Sequence, residues 1–278
     1  MEVSPVVDLH DLSNITAPCT LTFFDTKGDH GLNFVCPLFE LEGFTIDNCV
    51  LDVMHVLDLG CTQVMIARVF WLLLLNNFAD STATHADMRL VDNMRKLRLR
   101  MQKFYKDRPL ERGTKTSIGK LTISQLGPRK APKLMSKAAE ARHLLEICPV
   151  ILRENEAYWG ATGSMLLRAS EALLNVYETM RNEHRNMSEG GLQRLQTEMC
   201  IFLFFHKYSG GHCIPKHHFA WHLAERAREN GNPRFSWTYT DEQENRVMGR
   251  VAKSLSHSHT FYKTFLQKVL PEVCATRF

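Results

Sequence analysis

The chain has 278 residues, 44% hydrophobic and 23% charged, with a net charge of +4. This is the composition of a soluble globular protein, long enough for one large domain or two modest ones, with no internal repeat or low-complexity tract. The eight cysteines (19, 36, 49, 61, 148, 200, 213 and 274) are scattered without a C-x-x-C pair, which argues for reduced thiols in an intracellular compartment and against a disulfide framework or a zinc knuckle.

Residues 1–43 are irregular, with short apolar pieces such as Leu21–Phe24 and Phe34–Phe39 that suit one or two strands. No basic run precedes an apolar stretch in Met1–His10, so no signal peptide is read there. Thr45–Asp52 reads as a strand ending on a carboxylate, and Val53 to about Phe78 as a long, strongly apolar helix. Its greasiest part, Val64–Leu75, contains Arg68 and is too short to cross a bilayer, so a buried helix is expected. A helix from Thr82 to Lys106 places Met88, Val91, Met94, Leu97 and Met101 on one stripe, with arginines and lysines opposite. Arg108–Pro132 reads as an exposed loop, with room for a short strand at Lys120–Ser124. Helices are expected over 133–154, 156–185, 188–208 and 215–230, the last stopped by Asn230-Gly231-Asn232-Pro233. The alternation Phe235, Trp237, Tyr239 predicts a strand over 234–239, followed by helices over 241–255 and 258–272. A small sheet would then pair the N-terminal segments with 234–239 across a block of helices.

Charge is distributed unevenly. Residues 89–137 hold 15 Lys and Arg against 3 Asp and Glu, a balance of +12, which leaves 19 against 27, or −8, for the rest. A basic block in an otherwise acidic chain suits a polyanionic partner, because clustered Lys and Arg dominate phosphate binding; a solvated face without a partner has the same composition. The residues expected to meet nucleic acid are Arg95, Lys96, Arg98, Arg100, Lys103, Arg129, Lys130 and Lys133.

Carboxylates at the ends of distant elements, Asp52 and Asp241–Glu244, suit a divalent-metal phosphoryl-transfer site, since hard cations prefer oxygen ligands. Each has a plainer reading. Asp52 between strand and helix is a good N-cap, and Asp241–Glu244 suits the first turn of a helix. His55 reads as a buried, hydrogen-bonded core histidine or a metal ligand. His218 and His222, one turn apart, could hold zinc with His212, His217 or Cys213 nearby, but lack the Glu of H-E-x-x-H; packing onto the core is the competing role. Asp58 shares the helix of His55 and is expected to have no chemical role.

Four segments carry a resemblance: Phe39–Thr45 with Leu51–Gly60, Pro132–His143, Pro215–His222 (PKHHFAWH) and Tyr239–Asn245 (YTDEQEN). In this order they resemble eukaryotic cut-and-paste DNA transposases, the CACTA-like and Kyakuja/Dileera/Zisupton groups. The resemblance spans roughly 37–270 but is carried by these short stretches. It implies an α+β fold, mainly α with a small β-sheet: a partial RNase H-like core interrupted by a helical insertion. The corresponding parts are 1–80, 81–209 (basic helix, loop and insertion) and 210–278. It also implies an Asp, Asp, Glu triad holding two Mg²⁺ or Mn²⁺ ions for in-line attack on a phosphodiester. Carried over, Asp52 is the second carboxylate, with Asp25, Asp29 and Asp47 as rivals, and His55 completes D-x-x-H. Glu242 is the last carboxylate, three residues before Asn245, with Glu244 as the alternative. The first Asp should lie on a strand well upstream of Asp52, where no such pattern stands. A truncated or decayed transposase derivative in the nucleus, partnered by DNA, is therefore expected rather than an active enzyme; neither a membrane nor a small-molecule substrate is implied.

Overall fold

A helix hydrophobic around its whole circumference must be enclosed by other elements, and the stretch from Val53 to Leu75 is of that kind. In the computed structural model it forms α1 (Met54–Leu75), π-helical over Met54–Thr62 and α-helical over Gln63–Leu75. Leu57, Cys61, Val64, Met65, Phe70 and Leu73 are fully buried. Among the described residues α1 is long and apolar enough to cross a membrane, but 78% of its most apolar window is buried inside the fold. The structure describes residues 50–76, 85–107, 117–154, 156–239, 248–250 and 252–253, with Glu42 and Thr82, and the backbone alone at 156–158.

The remaining helices follow in order: α2 (Ala86–Asp107), α3 (Ala138–Leu144), α4 (Ile147–Glu154), α5 (Glu156–Asn182), α6 (Glu189–Tyr208), α7 (Pro215–Glu225) and the short α8 (Ala227–Asn230). Helices α2, α3, α5 and α7 all pack on α1, while α5 and α6 pair along their length across the short 183–188 connection. These elements belong to a compact unit of residues 1–235; residues 236–278 form a second unit, in which the rings of Trp237 and Tyr239 meet edge-on at 5.8 Å.

Local chemistry explains the helix ends. The expected single helix over 133–154 is two helices, because Pro149 has no N–H and its ring would strike the Leu145 carbonyl of a continuous helix. Glu140 reaches back to accept from the Lys137 N–H (2.9 Å), half of a capping box at the start of α3. Ser188 caps α6 by accepting from the Gly191 N–H (3.0 Å). Pro215 opens α7 at the position where its missing N–H is harmless. Gly231, at φ 79°, turns the chain out of α8 in a region L side chains avoid.

Buried polar side chains tie these ends together. Asn93, 1% exposed, donates to the Leu74 carbonyl (2.9 Å) and the Asn76 carbonyl (2.6 Å), closing the C-terminal end of α1 from α2. Asn232 does the same for α5, donating to Met180 O (2.8 Å) and Glu183 O (3.0 Å). The Arg68 guanidinium donates to the Ser209 and Gly210 carbonyls at the end of α6, where a helix C-terminus favours positive charge. Buried Asp58 accepts from the Tyr177 hydroxyl (2.5 Å), which also meets Thr62 Oγ1 (2.8 Å). Desolvation, then the Asp58 charge, raises Tyr177 well above its ordinary pKa.

The α+β expectation is overturned: among the described residues there is no strand, so no sheet and no RNase H-like core. The expected strand over 234–239 begins instead as a 3-10 turn, Pro233–Ser236. Its alternating aromatics follow an Asn-Pro pair, and Asn232 holds the turn by accepting from Arg234 N (3.0 Å), with Phe235 N donating to the Asn232 carbonyl (3.0 Å). Lys120–Ser124 leads into another 3-10 turn, Ser124–Leu126. Leu51 and Asp52 are not strand either; residues 45–49 and the expected helix over 258–272 lie outside the described residues.

Candidate nucleic-acid interface

Helix α2 sets the geometry of the basic block. It buries Asn93, Met94, Leu97 and Met101 against its neighbours, so its charged residues must face outward. Arg89, Lys96 and Lys103 recur every seven residues and share a stripe with a step of ~10 Å. Arg89, Arg95 and Lys103 are exposed and Lys96 is half-buried. Two expected contacts are engaged in the fold instead. Arg98 Nε donates to the Leu121 carbonyl (2.8 Å), pinning the loop to α2, and Arg100 pairs with Glu154.

The second basic segment runs back along α1. Arg129 lines a cleft of about 320 Å³ at the C-terminal end of α1, together with Arg89, Trp71, Asn76 and Asn93; Asp87 also lines it. The Trp71 indole N–H, buried, meets no hydrogen-bond partner among the described residues. Further on, Leu134 N donates to the Gln63 carbonyl (3.1 Å) and the Gln63 side chain to the Ser136 carbonyl (2.8 Å), which fixes the segment against α1. Arg129, Lys130, Lys133 and Lys137 remain exposed along it. Arg89 and Arg129, distant in sequence, thus line one cleft together with Trp71.

Lys133 stands near Lys216 on α7. Burial first and then the Lys133 charge pull Lys216 below its ordinary pKa, while Cys61 and Asp52 partly oppose this. Lys216 Nζ donates to the Leu59 carbonyl (3.3 Å). Its stem lies so near Gly60 that a Cβ there would come within 2.6 Å of Lys216 Cδ, so a larger residue would have to displace the Lys216 side chain at the α1–α7 crossing.

The expected catalytic residues have other roles where they are described. Asp52 accepts from Met54 N (3.0 Å) and His55 N (3.2 Å) and pairs with the His55 ring, the capping arrangement for the first turn of α1. His55 is hydrogen-bonded as expected but exposed rather than buried. A two-metal centre needs carboxylate oxygens turned toward a shared ion. Asp52 turns its oxygens to backbone N–H groups, and among the described residues no three His, Cys, Asp or Glu could hold a metal ion together. Asp52 is thus placed as a helix cap, and the carboxylates expected to share a metal ion with it are not among the described residues. Glu242, Glu244, Asn245 and the rivals Asp25, Asp29 and Asp47 lie outside the described residues.

Helix α7 turns successive histidines in opposite directions. His217 is buried and stacks on His206 of α6, ring centroids 4.5 Å apart. His206 donates from Nε2 to the His212 carbonyl (3.2 Å), and Ile214 N donates to His217 Nδ1 (3.1 Å); His206 Nδ1 and His217 Nε2 have no hydrogen-bond partner among the described residues. Burial, then the neighbouring His217, pulls His206 down to about 3; burial pulls His217 down to about 4. His218 and His222 are half-buried.

Sequence reasoning did not single out Trp71 or Lys216, and nothing in the sequence marks Trp71 as lining a cleft with Arg129. The chain matches none of the protein-family models, curated proteins or solved structures with which it was compared.

Proposed function

We propose that this chain is a non-catalytic, DNA-binding helical module, a domesticated remnant of the transposase lineage its motifs resemble. One observation carries the reading. The outward stripe of α2 and the segment at 129–137 converge where Arg89 and Arg129 line one cleft with Trp71. Exposed cations recruit phosphates by releasing condensed counterions, and an aromatic face beside arginines accepts an unstacked base. The use of Asp52 as a helix cap favours binding over cleavage.

Fluorescence anisotropy with a labelled DNA duplex and the corresponding single strand, over a range of salt, tests the proposal. Affinity should fall with salt with a log–log slope of about −0.9 per phosphate neutralised on duplex. The variant R89E/R95E/K103E should bind at least ~10-fold more weakly, with the slope shallower by about 1 for each phosphate no longer neutralised. Salt-independent binding, or a variant that binds as well as the parent, would refute it.

A further inference from the structure

We infer that His218 and His222, half-buried on α7, form a two-imidazole site for a divalent transition metal of the Ni²⁺, Cu²⁺ or Zn²⁺ class, with Glu225 positioning His222. This inference is independent of DNA binding. His218 and His222 are one helical turn apart, and their Nε2 atoms are hydrogen-bonded at 3.0 Å with the rings at 88°, so an ion would take the place of the shared proton. Two nitrogens each ~2.0–2.1 Å from one ion lie ~2.9 Å apart in a square arrangement and ~3.3 Å apart in a tetrahedral one. The observed separation falls between these values, so one ion can take both nitrogens with a small rotation of either ring.

Glu225 supplies the second feature. Its Oε2 lies 2.8 Å from His222 Nδ1, at the next turn of the same helix. A carboxylate accepting the Nδ1–H fixes the tautomer that turns the His222 Nε2 lone pair toward His218 Nε2, and it strengthens that nitrogen as a ligand. Glu225 is thus a positioning residue and the two histidines are the ligands. The His222 side chain is 23% exposed and that of Glu225 53%, so solvent or a partner molecule can complete the coordination sphere. The buried pair His206 and His217 offers no such site, because its rings are stacked face to face rather than converging through their nitrogens.

Titration of the full chain with Ni²⁺ alone by isothermal calorimetry tests the inference, since imidazole suits this ion better than surface carboxylates do. One saturable equivalent is expected in the parent. H218A and H222A should each remove it or weaken it at least ~10-fold, and E225Q should weaken it ~10–100-fold while leaving far-UV circular dichroism unchanged. Affinity should also fall in acid, where protons compete for the same lone pairs. Absence of saturable binding by the parent would overturn the site, as would unchanged affinity in the double variant H218A/H222A. Unchanged affinity in E225Q would overturn the role of Glu225.

Discussion

The surroundings of α1 and the outer face of α2 use polar side chains, arginine among them, to opposite ends. Around α1, Arg68, Asn93, Asn232, Asp58 and Tyr177 are tied to helix carbonyls or to one another. On α2, Arg89, Arg95 and Lys103 stand in solvent. Buried polar groups cost stability unless bonded, so those around α1 are fixed by the fold, whereas those on α2 are exposed among the described residues. Arg98 shows that residue type does not decide the role: two turns from exposed Arg89, it anchors Leu121.

The largest expected effect that would break the comparison concerns the buried imidazoles. His206 and His217 have folded pKa values near 3 and 4, below the ordinary 6.5, so the unfolded chain binds more protons as pH falls. Stability from this pair is complete above pH ~6.5 and is lost progressively below it. Each tenfold difference in proton affinity is worth ~1.4 kcal/mol, so the loss by pH 4 is on the order of several kcal/mol. Besides burial, His217, Arg68 and His212 oppose the charging of His206, while its hydrogen bond to the His212 carbonyl partly favours it. Urea unfolding between about pH 6.5 and 5, above the range where carboxylates titrate, should show a decline that the double variant H206F/H217F lacks. Equal declines would remove the pair as the cause.

A smaller effect is expected at Asn93. Asn93→Ala leaves the Leu74 and Asn76 carbonyls without their donor, a loss of ~1–3 kcal/mol for buried acceptors, readable as a lower urea midpoint with unchanged slope. An unaltered midpoint would mean that the end of α1 does not depend on α2.

The smallest sharpens the contrast. R95E/K103E should change stability by no more than ~0.5 kcal/mol in the same assay, as expected of surface substitutions. A larger loss would place those side chains among the structural residues and weaken the case for a DNA-facing stripe.

The sequence by itself determined the helices and the uneven charge. A long apolar run marked α1 and apolar periodicity marked α2, although Met88 and Val91 of its expected stripe are exposed, and the Gly231–Pro233 stop marked the end of α8, because helical spacing and turn chemistry are local signals. It misread 234–239, where alternating aromatics imitate a strand while Asn232 is committed to capping α5. It could not separate Arg98 from Arg95, or His217 from His218. Only the tertiary structure decided which side chains are buried, which carbonyls they satisfy, and that Arg89 and Arg129 share a cleft with Trp71. Those outcomes depend on packing between residues far apart in the chain, which no local pattern encodes.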